Sequence, residues 1–359
     1  MDFVLYLEAH QPRRLRAQLS SRIVKADDVL DESLDRRVFE RVAEKCYRPL
    51  LKLLESVGGL RVAMKLTGTL LEQMESWGDD LIEMVRGLAW EGRIELVAGP
   101  YYNSVAGLVD EGELVEQTRR HVELLAELTG VRPACFANPY LIYYDEIGEL
   151  VSRELGLRVI ITEGSPRVLG WRAPSYVYKA RASDARLLLR DYRLSDEVAF
   201  GLPRGQVRVD EYAAKVSRVE GQVVLVGLPA ETFGEHAPAS MEAFDFLRRL
   251  PSELSKYPWV RISTPSETVK RYKPVDELRV RQPVSWLEDK GLSTLTGSPL
   301  QVAAIEILRE LMPRALASPL ARAWRLLSQA DILYSMRRDL KTFLEFERAA
   351  CALRSSLEG

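Results

Sequence analysis

The feature that most constrains the fold is an alternation, kept up over the first three quarters of the chain, of short β-rich apolar runs with longer segments of helical period. The runs are FVLYL (3–7), RVAMKL (61–66), RIELVA (93–98), RVIIT (158–162) and QVVLVGL (222–228). Nearly continuous apolar strands of this kind suit a parallel sheet covered by helices on its faces. Between the first two runs, Phe39, Val42, Ala43, Cys46, Tyr47, Leu50 and Leu54 recur at helical spacing. A second helix reads through 111–128, with Gly130 as its stop signal. Repetition of strand, helix and strand implies right-handed crossovers, and so an α/β protein with an open parallel sheet or a parallel barrel.

From Asp276 the character changes. Pro283 and a Gly/Ser/Thr cluster over 291–299 separate the α/β part from helical patterns at 300–312 and 320–357. The expected organisation is an α/β unit over 1–275 and a mostly helical region over 276–359 packed on it. The stretch 164–208, with Pro166, Pro174, Gly201, Pro203 and Gly205, resists regular assignment. Long irregular connections in compact proteins often serve as lids or binding walls.

Composition narrows the function. The 359 residues carry 50 Lys plus Arg against 52 Asp plus Glu, a net charge of −2, which excludes a whole-chain basic footprint for nucleic acid or an anionic membrane. No stretch nears the roughly 20 apolar residues that a membrane helix needs. The start, MDFVLYLEAHQP, has no basic lead-in and its apolar run stops at Glu8, unlike a signal peptide. Cys46, Cys135 and Cys351 show no CxxC spacing, so neither a disulfide framework nor a cysteine zinc site is indicated. The expectation is a soluble cytoplasmic protein. Arg outnumbers Lys and Asn is nearly missing, a bias that a hot habitat or genomic base composition would each produce.

Four segments carry candidate chemistry. His10 follows the first strand, where α/β proteins place their ligand crevice; it is either a site residue or a histidine hydrogen-bonded at a strand end. GPYYNSVAG (99–107) offers ring faces and the Asn103 amide to a polyhydroxylated ligand, or else a turn and two core aromatics. The chain's two asparagines, Asn103 and Asn138, both fall in such segments. PAETFGEH (229–236) sets Glu231, Glu235 and His236 beyond the strongest strand, for acid/base work, hydroxyl binding, a metal site with His10, or a solvated loop. RDYRLSDEVAF (190–200) adds Asp191, Asp196 and Glu197, with Asp196 as the crevice candidate and surface salt bridging as the bland account of the other two.

HQP, EKCYRPLLKLL, GRIELVAGPYYNS, FANPYLIYYDEIGEL, ITEGSPRVLGWRAPSYVY, DYRLSDEVAF, ETFGEH, STPSE and WRLLSQADILYSM, in this order from His10 to about Met336, resemble glycoside hydrolase family 57 in its α-amylase and amylase-like branch. The resemblance implies an incomplete (β/α)7 barrel with a helical C-terminal region, acting on α-glucans by a retaining mechanism without a cofactor or metal. Retention needs two carboxyl groups about 5 to 5.5 Å apart, a nucleophile and a general acid/base. The family's nucleophile motif, Phe-Arg-Asn-Thr-Glu-Leu-Ile-Tyr, meets Phe136 to Tyr143 here, with Tyr140 at the Glu. Its acid/base motif, Asp-Tyr-Glu-Thr-Phe-Gly-Glu-His, meets Pro229 at the Asp, then Ala230 and the matching Glu231 to His236. Glu-Thr-Tyr-Tyr-His-Ser meets Gly99 to Ser104, and the late Ser-Asp-His keeps Asp331 but has Ile332 for the His.

The resemblance therefore implies a crevice without either catalytic carboxylate. The leading expectation is a catalytically silent protein that binds an α-glucan or maltooligosaccharide through His10, Asn103, Asn138, Tyr140, Trp171, Asp196, Glu231, His236 and Asp331. A second reading is altered chemistry, either a divalent metal on His10, His236 and Asp196 or Glu231, or a glucan hydrolase or transferase with relocated carboxylates. A third is a scaffold for a protein partner, its crevice plugged by Tyr140.

Overall fold

The computed structural model describes residues 1–237 and 241–358, without the side chains of Met241 and Glu242. Ten strands form one sheet: β1 (Asp2–Ala9), β2 (Val62–Leu66), β3 (Ile94–Ala98), β4 (Cys135–Phe136), β5 (Val159–Glu163), β6 (Tyr178–Ala180), β7 (Arg186–Arg190), β8 (Val223–Pro229), β9 (Arg261–Ile262) and β10 (Asp276–Leu278). The parallel neighbours run β7-β5-β4-β3-β2-β1-β8, and the circle closes where Arg190 of β7 pairs with Leu225 of β8. Seven parallel strands with helices outside make a (β/α)7 barrel. β6 lies antiparallel to β7 on the outside, with β10 beyond it, and β9 pairs with the start of β1.

Side-chain alternation explains the layering, because residues two apart on a strand share a face. Leu5, Leu7 and Ala9 of β1 pack outward against the helices, with Val62, Met64 and Leu66 of β2. Val4, Tyr6, Ala63, Val97, Cys135, Ala137, Ile161, Leu188 and Leu225 turn inward and fill the barrel. The inward face changes character at the carboxyl ends, where the same parity brings Glu8, Lys65, Gly99, Glu163, Arg190 and Pro229 to the top.

The five apolar runs correspond to β1, β2, β3, β5 and β8. The 164–208 stretch is a correction: it holds β6, β7 and a helix, Tyr192–Gly201. The short helical segments Glu32–Val42 and Arg48–Ser56 are joined through a π turn at Ala43–Tyr47. The helix Glu111–Thr129 ends at Gly130 with φ 73°, a left-handed stop. The 320–357 pattern is three helices, Ala321–Leu327, Ala330–Met336 and Leu340–Leu357, which with Pro299–Leu316 build a separate core around Trp324, Leu308 and Phe346. That core also takes in Val29, Tyr102, Val105 and Ile142 from the barrel's connections. No described helix is long and apolar enough to cross a membrane.

His121 ties this frame together. Its Nε2–H donates to the Leu66 carbonyl at 2.7 Å and its Nδ1 accepts from the Gly99 amide at 3.1 Å, linking the ends of β2 and β3 to the helix behind them. Burial holds its pKa down at about 4. An unfolded histidine protonates near pH 6.5, so stability is fully present above that value and is lost as pH falls toward 4, by about 3 kcal/mol at the limit. Denaturant unfolding between pH 7.5 and 4.5 should show this loss, and His121→Gln should flatten that part of the profile.

Packing at Gly99 gives a second prediction. A Cβ there would stand 2.4 Å from the Ala137 carbonyl oxygen and 2.9 Å from Lys65 Cε, whereas one at Gly87, inside the helix Asp79–Trp90, meets nothing within 4 Å. Gly99→Ala should therefore cost about 1–3 kcal/mol, while Gly87→Ala should gain about 0.5–1 kcal/mol. Paired urea melts of the two variants check both signs.

Candidate functional site

At the carboxyl end of the barrel the inward layer becomes a set of paired charges. Lys65 Nζ, on a side chain with no exposed surface, lies 3.5 Å from Glu8 Oε1 and donates to Asn103 Oδ1 at 2.8 Å. Tyr6 Oη donates to the other Glu8 oxygen at 3.0 Å. Burial pushes the Lys65 ammonium down from its ordinary value, and Glu8 opposes that shift. Across the barrel, Arg190 bonds to Glu163 at 3.1 Å and also to Asp196, while its guanidinium faces the Trp286 ring at 5.6 Å. Burial raises the Glu163 carboxyl against the pull of Arg190 and Lys290.

Above this layer lies a cavity of about 320 Å³. Glu8, His10, Asn103, Tyr140, Glu231, His236, Trp286 and Asp331 are among its walls, and Pro229 borders it. His10 is its hub. The ring bonds to Thr67 Oγ1 at 2.9 Å through Nδ1 and to Asp331 Oδ2 at 2.8 Å through Nε2, and the His10 amide donates to Glu231 Oε1 at 3.0 Å. Glu231 also accepts from Tyr47 Oη, which the π turn presents to it. Burial raises the Glu231 carboxyl, with the bonds from Tyr47 and His10 pulling the other way. Burial acts on Asp331 in the same sense, but His10 and Lys65 prevail and hold its carboxyl below the ordinary range.

Tyr140 sits in the turn after β4 with φ 54° and ψ 20°, a left-handed conformation that a bulky residue rarely adopts. The Trp286 amide donates to its carbonyl at 2.8 Å, and its ring lies 5.7 Å from that of Tyr334. Its hydroxyl stands 3.5 Å from Asp331 Oδ1. The ring thus forms one wall of the cavity and leaves it open.

The structure brings together eight of the sequence candidates: His10, Asn103, Tyr140, Pro229, Glu231, Glu235, His236 and Asp331. It places three elsewhere. Asn138 is buried below the turn, with Oδ1 lacking a hydrogen-bond partner among the described residues. Asp196 is held by Arg190 outside the cavity lining. Trp171 is 88% exposed, stacked with Arg172 at 5.3 Å, away from the cavity. Asp191 caps the helix Tyr192–Gly201, and Glu197 pairs with Lys215. Among the described residues no group of three His, Cys, Asp or Glu side chains is arranged to hold a metal ion.

Sequence reasoning missed Glu8, Lys65 and Trp286. A signal existed for the first two: a single charge at the inward parity near the end of an otherwise apolar strand. Glu8 and Lys65 form a buried pair, and removing one partner of such a pair leaves the other uncompensated. Lys65→Met should therefore cost about 3–5 kcal/mol in denaturant unfolding, and Glu8→Gln added to it should recover most of the loss.

The geometry agrees with what the chain resembles. Residues 4–281 match the sequence profile of Glycosyl hydrolase family 57. A Methanocaldococcus jannaschii protein named "Putative alpha-amylase" is 30% identical over 349 residues, which cover 93% of this chain and 74% of that protein. A GH57 branching enzyme from Thermococcus kodakaraensis superposes with a TM-score of 0.76 at 13% identity, over 99% of this chain and 89% of its own. The 4-alpha-glucanotransferase of Thermococcus litoralis gives 0.71 at 15% identity over 93% of this chain. The matched part is 56% of that glucanotransferase, so the chain spans little more than half its length. At such identities the structural likeness speaks for the fold.

Proposed function

Because the chain belongs to glycosyl hydrolase family 57, we propose that it binds an α-glucan or maltooligosaccharide at the barrel mouth and does not cleave it by the paired-carboxylate route, acting as a non-catalytic or regulatory member in carbohydrate metabolism. One observation carries the reading. The mouth keeps an open cavity walled by aromatic and polar side chains, while Tyr140 and Pro229 occupy the positions where the resemblance places nucleophile and acid/base. Ring faces with convergent hydroxyl, amide and carboxylate groups suit a pyranose. The names of the relatives, an amylase, a branching enzyme and a glucanotransferase, point to the same ligand class.

The remaining carboxylates support the silent part of the reading, since each already has a partner. Glu8 is held by Lys65 and Tyr6, Glu231 by Tyr47 and the His10 amide, Glu235 by Arg41 at 2.9 Å, and Asp331 by the His10 ring. Tyr140 is a poor nucleophile as it stands: burial, then Asp331 and Glu8, raise its phenol well above the ordinary value, and a tyrosine nucleophile needs the opposite.

Calorimetric titration with maltooligosaccharides and glycogen should show binding, weakened roughly tenfold by Tyr140→Ala, about 1.4 kcal/mol. No heat at millimolar ligand would count against the proposal. Reducing-sugar release from amylose that is lost in Glu231→Gln would overturn the silent part. The double variant Tyr140→Glu with Pro229→Asp should acquire turnover of a maltooligosaccharide.

A further inference from the structure

A second cavity, of about 370 Å³, adjoins the first, and Pro12, Arg14 and Asp331 line both. Its far side is formed by the helices Ala330–Met336 and Leu340–Leu357, and its near side by the segment that follows β1. Leu15, Leu34 and Ile332 give it an apolar floor, and Ser335, Lys341 and Glu345 give it polar walls. Ile332 is the residue that stands where the family motif has His, so the departure replaces an ionisable ring on this floor by a hydrocarbon.

The charges here are matched. Arg13 and Arg14 are bound to Asp35 at 2.7 and 3.2 Å, Lys341 lies 3.7 Å from Glu345, and Asp31 is taken up in capping the helix Glu32–Val42. A surface with its charges paired favours neither an anion nor a cation, and an apolar floor ringed by hydrogen-bonding groups suits a neutral polyhydroxylated ring. The shared residues place the two cavities side by side, so that a chain running through both would bend over Pro12 and Arg14.

We propose that the outer cavity is a second glucan subsite, so that the preferred ligand is a chain of several α-linked glucose units running from the barrel mouth to the helix Leu340–Leu357, and not a single sugar or a disaccharide. The inference rests on the glucan-binding reading above and adds chain length and direction to it. Asp331 stands at the bend, where His10 fixes its carboxylate between the two cavities.

The test compares maltohexaose with maltose by titration calorimetry on the full chain. The unaltered protein should bind maltohexaose at least about tenfold more tightly than maltose. Ser335→Trp, a substitution at an exposed position that fills the outer cavity, should bring that ratio close to one. The pair Lys341→Ala with Glu345→Ala, which removes the ion pair from the helix wall of the cavity, should lower the ratio in the same direction and serves if the tryptophan variant does not fold. An unaltered protein that binds both sugars equally, or a ratio unmoved by both sets of substitutions, overturns the outer subsite while leaving glucan binding at the mouth intact. Failure of the unaltered protein to bind either sugar overturns both readings.

Discussion

The barrel depends on how its inward face ends. Seven strands turn Val, Ile, Leu, Ala and Tyr inward along most of their length, and then the same parity delivers Glu8, Lys65, Glu163 and Arg190 to the rim. Four ionisable groups so little exposed are tolerable only in opposite-sign pairs that are close and further hydrogen-bonded. The space for them comes from glycine. Lys65 runs past Gly99, where a Cβ would meet its Cε at 2.9 Å, and Arg190 runs past Gly227, where a Cβ would stand 3.2 Å from its Cδ. Two missing side chains thus admit two long cations, and these hold the carboxylates of the layer beneath the site.

The helical region is tied into the same arrangement. Asp331 belongs to the helix Ala330–Met336, yet its carboxylate reaches the ring of His10, 321 residues earlier in the chain. Arg13 and Gln329 exchange hydrogen bonds beside it, and Ser104 bridges to Gln329 as an isolated antiparallel pair. Arg325 forms a buried pair with Glu113 at 2.6 Å, joining the same region to the helix Glu111–Thr129. The C-terminal helices are therefore one wall of the crevice, and a ligand at the barrel mouth would touch both parts of the chain.

Strands were legible where hydrophobic runs were long. β1 and β8 stand out because eight and seven consecutive residues leave little room for another period. β4 did not, since two residues carry no period, and β7 was obscured by its flanking Arg186 and Arg190 and by the prolines around it. For Arg190 the reason is its structural place: it is a cation at the inward rim, paired with Glu163 and Asp196, and propensity rules read it as a loop. The site shows the same division. His10, Asn103 and the ETFGEH loop were readable because they lie just past strands. Trp286 was not, because its place on the wall comes from the Trp286 amide bonding the Tyr140 carbonyl, a contact 146 positions apart that no local pattern encodes. Trp171 drew attention as an aromatic in a motif, but its ring stacks on Arg172, whose guanidinium is bound to Asp276, and this keeps it on the outer surface.

Tyr140 and Pro229, at the positions that the resemblance assigns to the family's two carboxylates, fit physically with the Glu8–Lys65 pair at the rim. In the β1–β8 ladder Glu8 is the register partner of Pro229, so a carboxylate at that position would face Glu8 across one strand spacing of about 4.8 Å. Lys65 is the ammonium within reach of Glu8, and it is already shared with Asn103. Two carboxylates competing for one buried cation would force one of them to stay protonated. Proline removes the conflict, and since β8 ends there and the chain turns into Ala230–Thr232, its missing N–H and fixed φ of −61° fit a strand exit. On the other wall Tyr140 supplies a neutral hydroxyl toward Asp331 and a ring against Tyr334, so this position adds no further acid beside Asp331. The substitutions read as one electrostatic arrangement, in which the rim charges hold the barrel's end and the cavity above them is left to hydrogen bonds and ring faces.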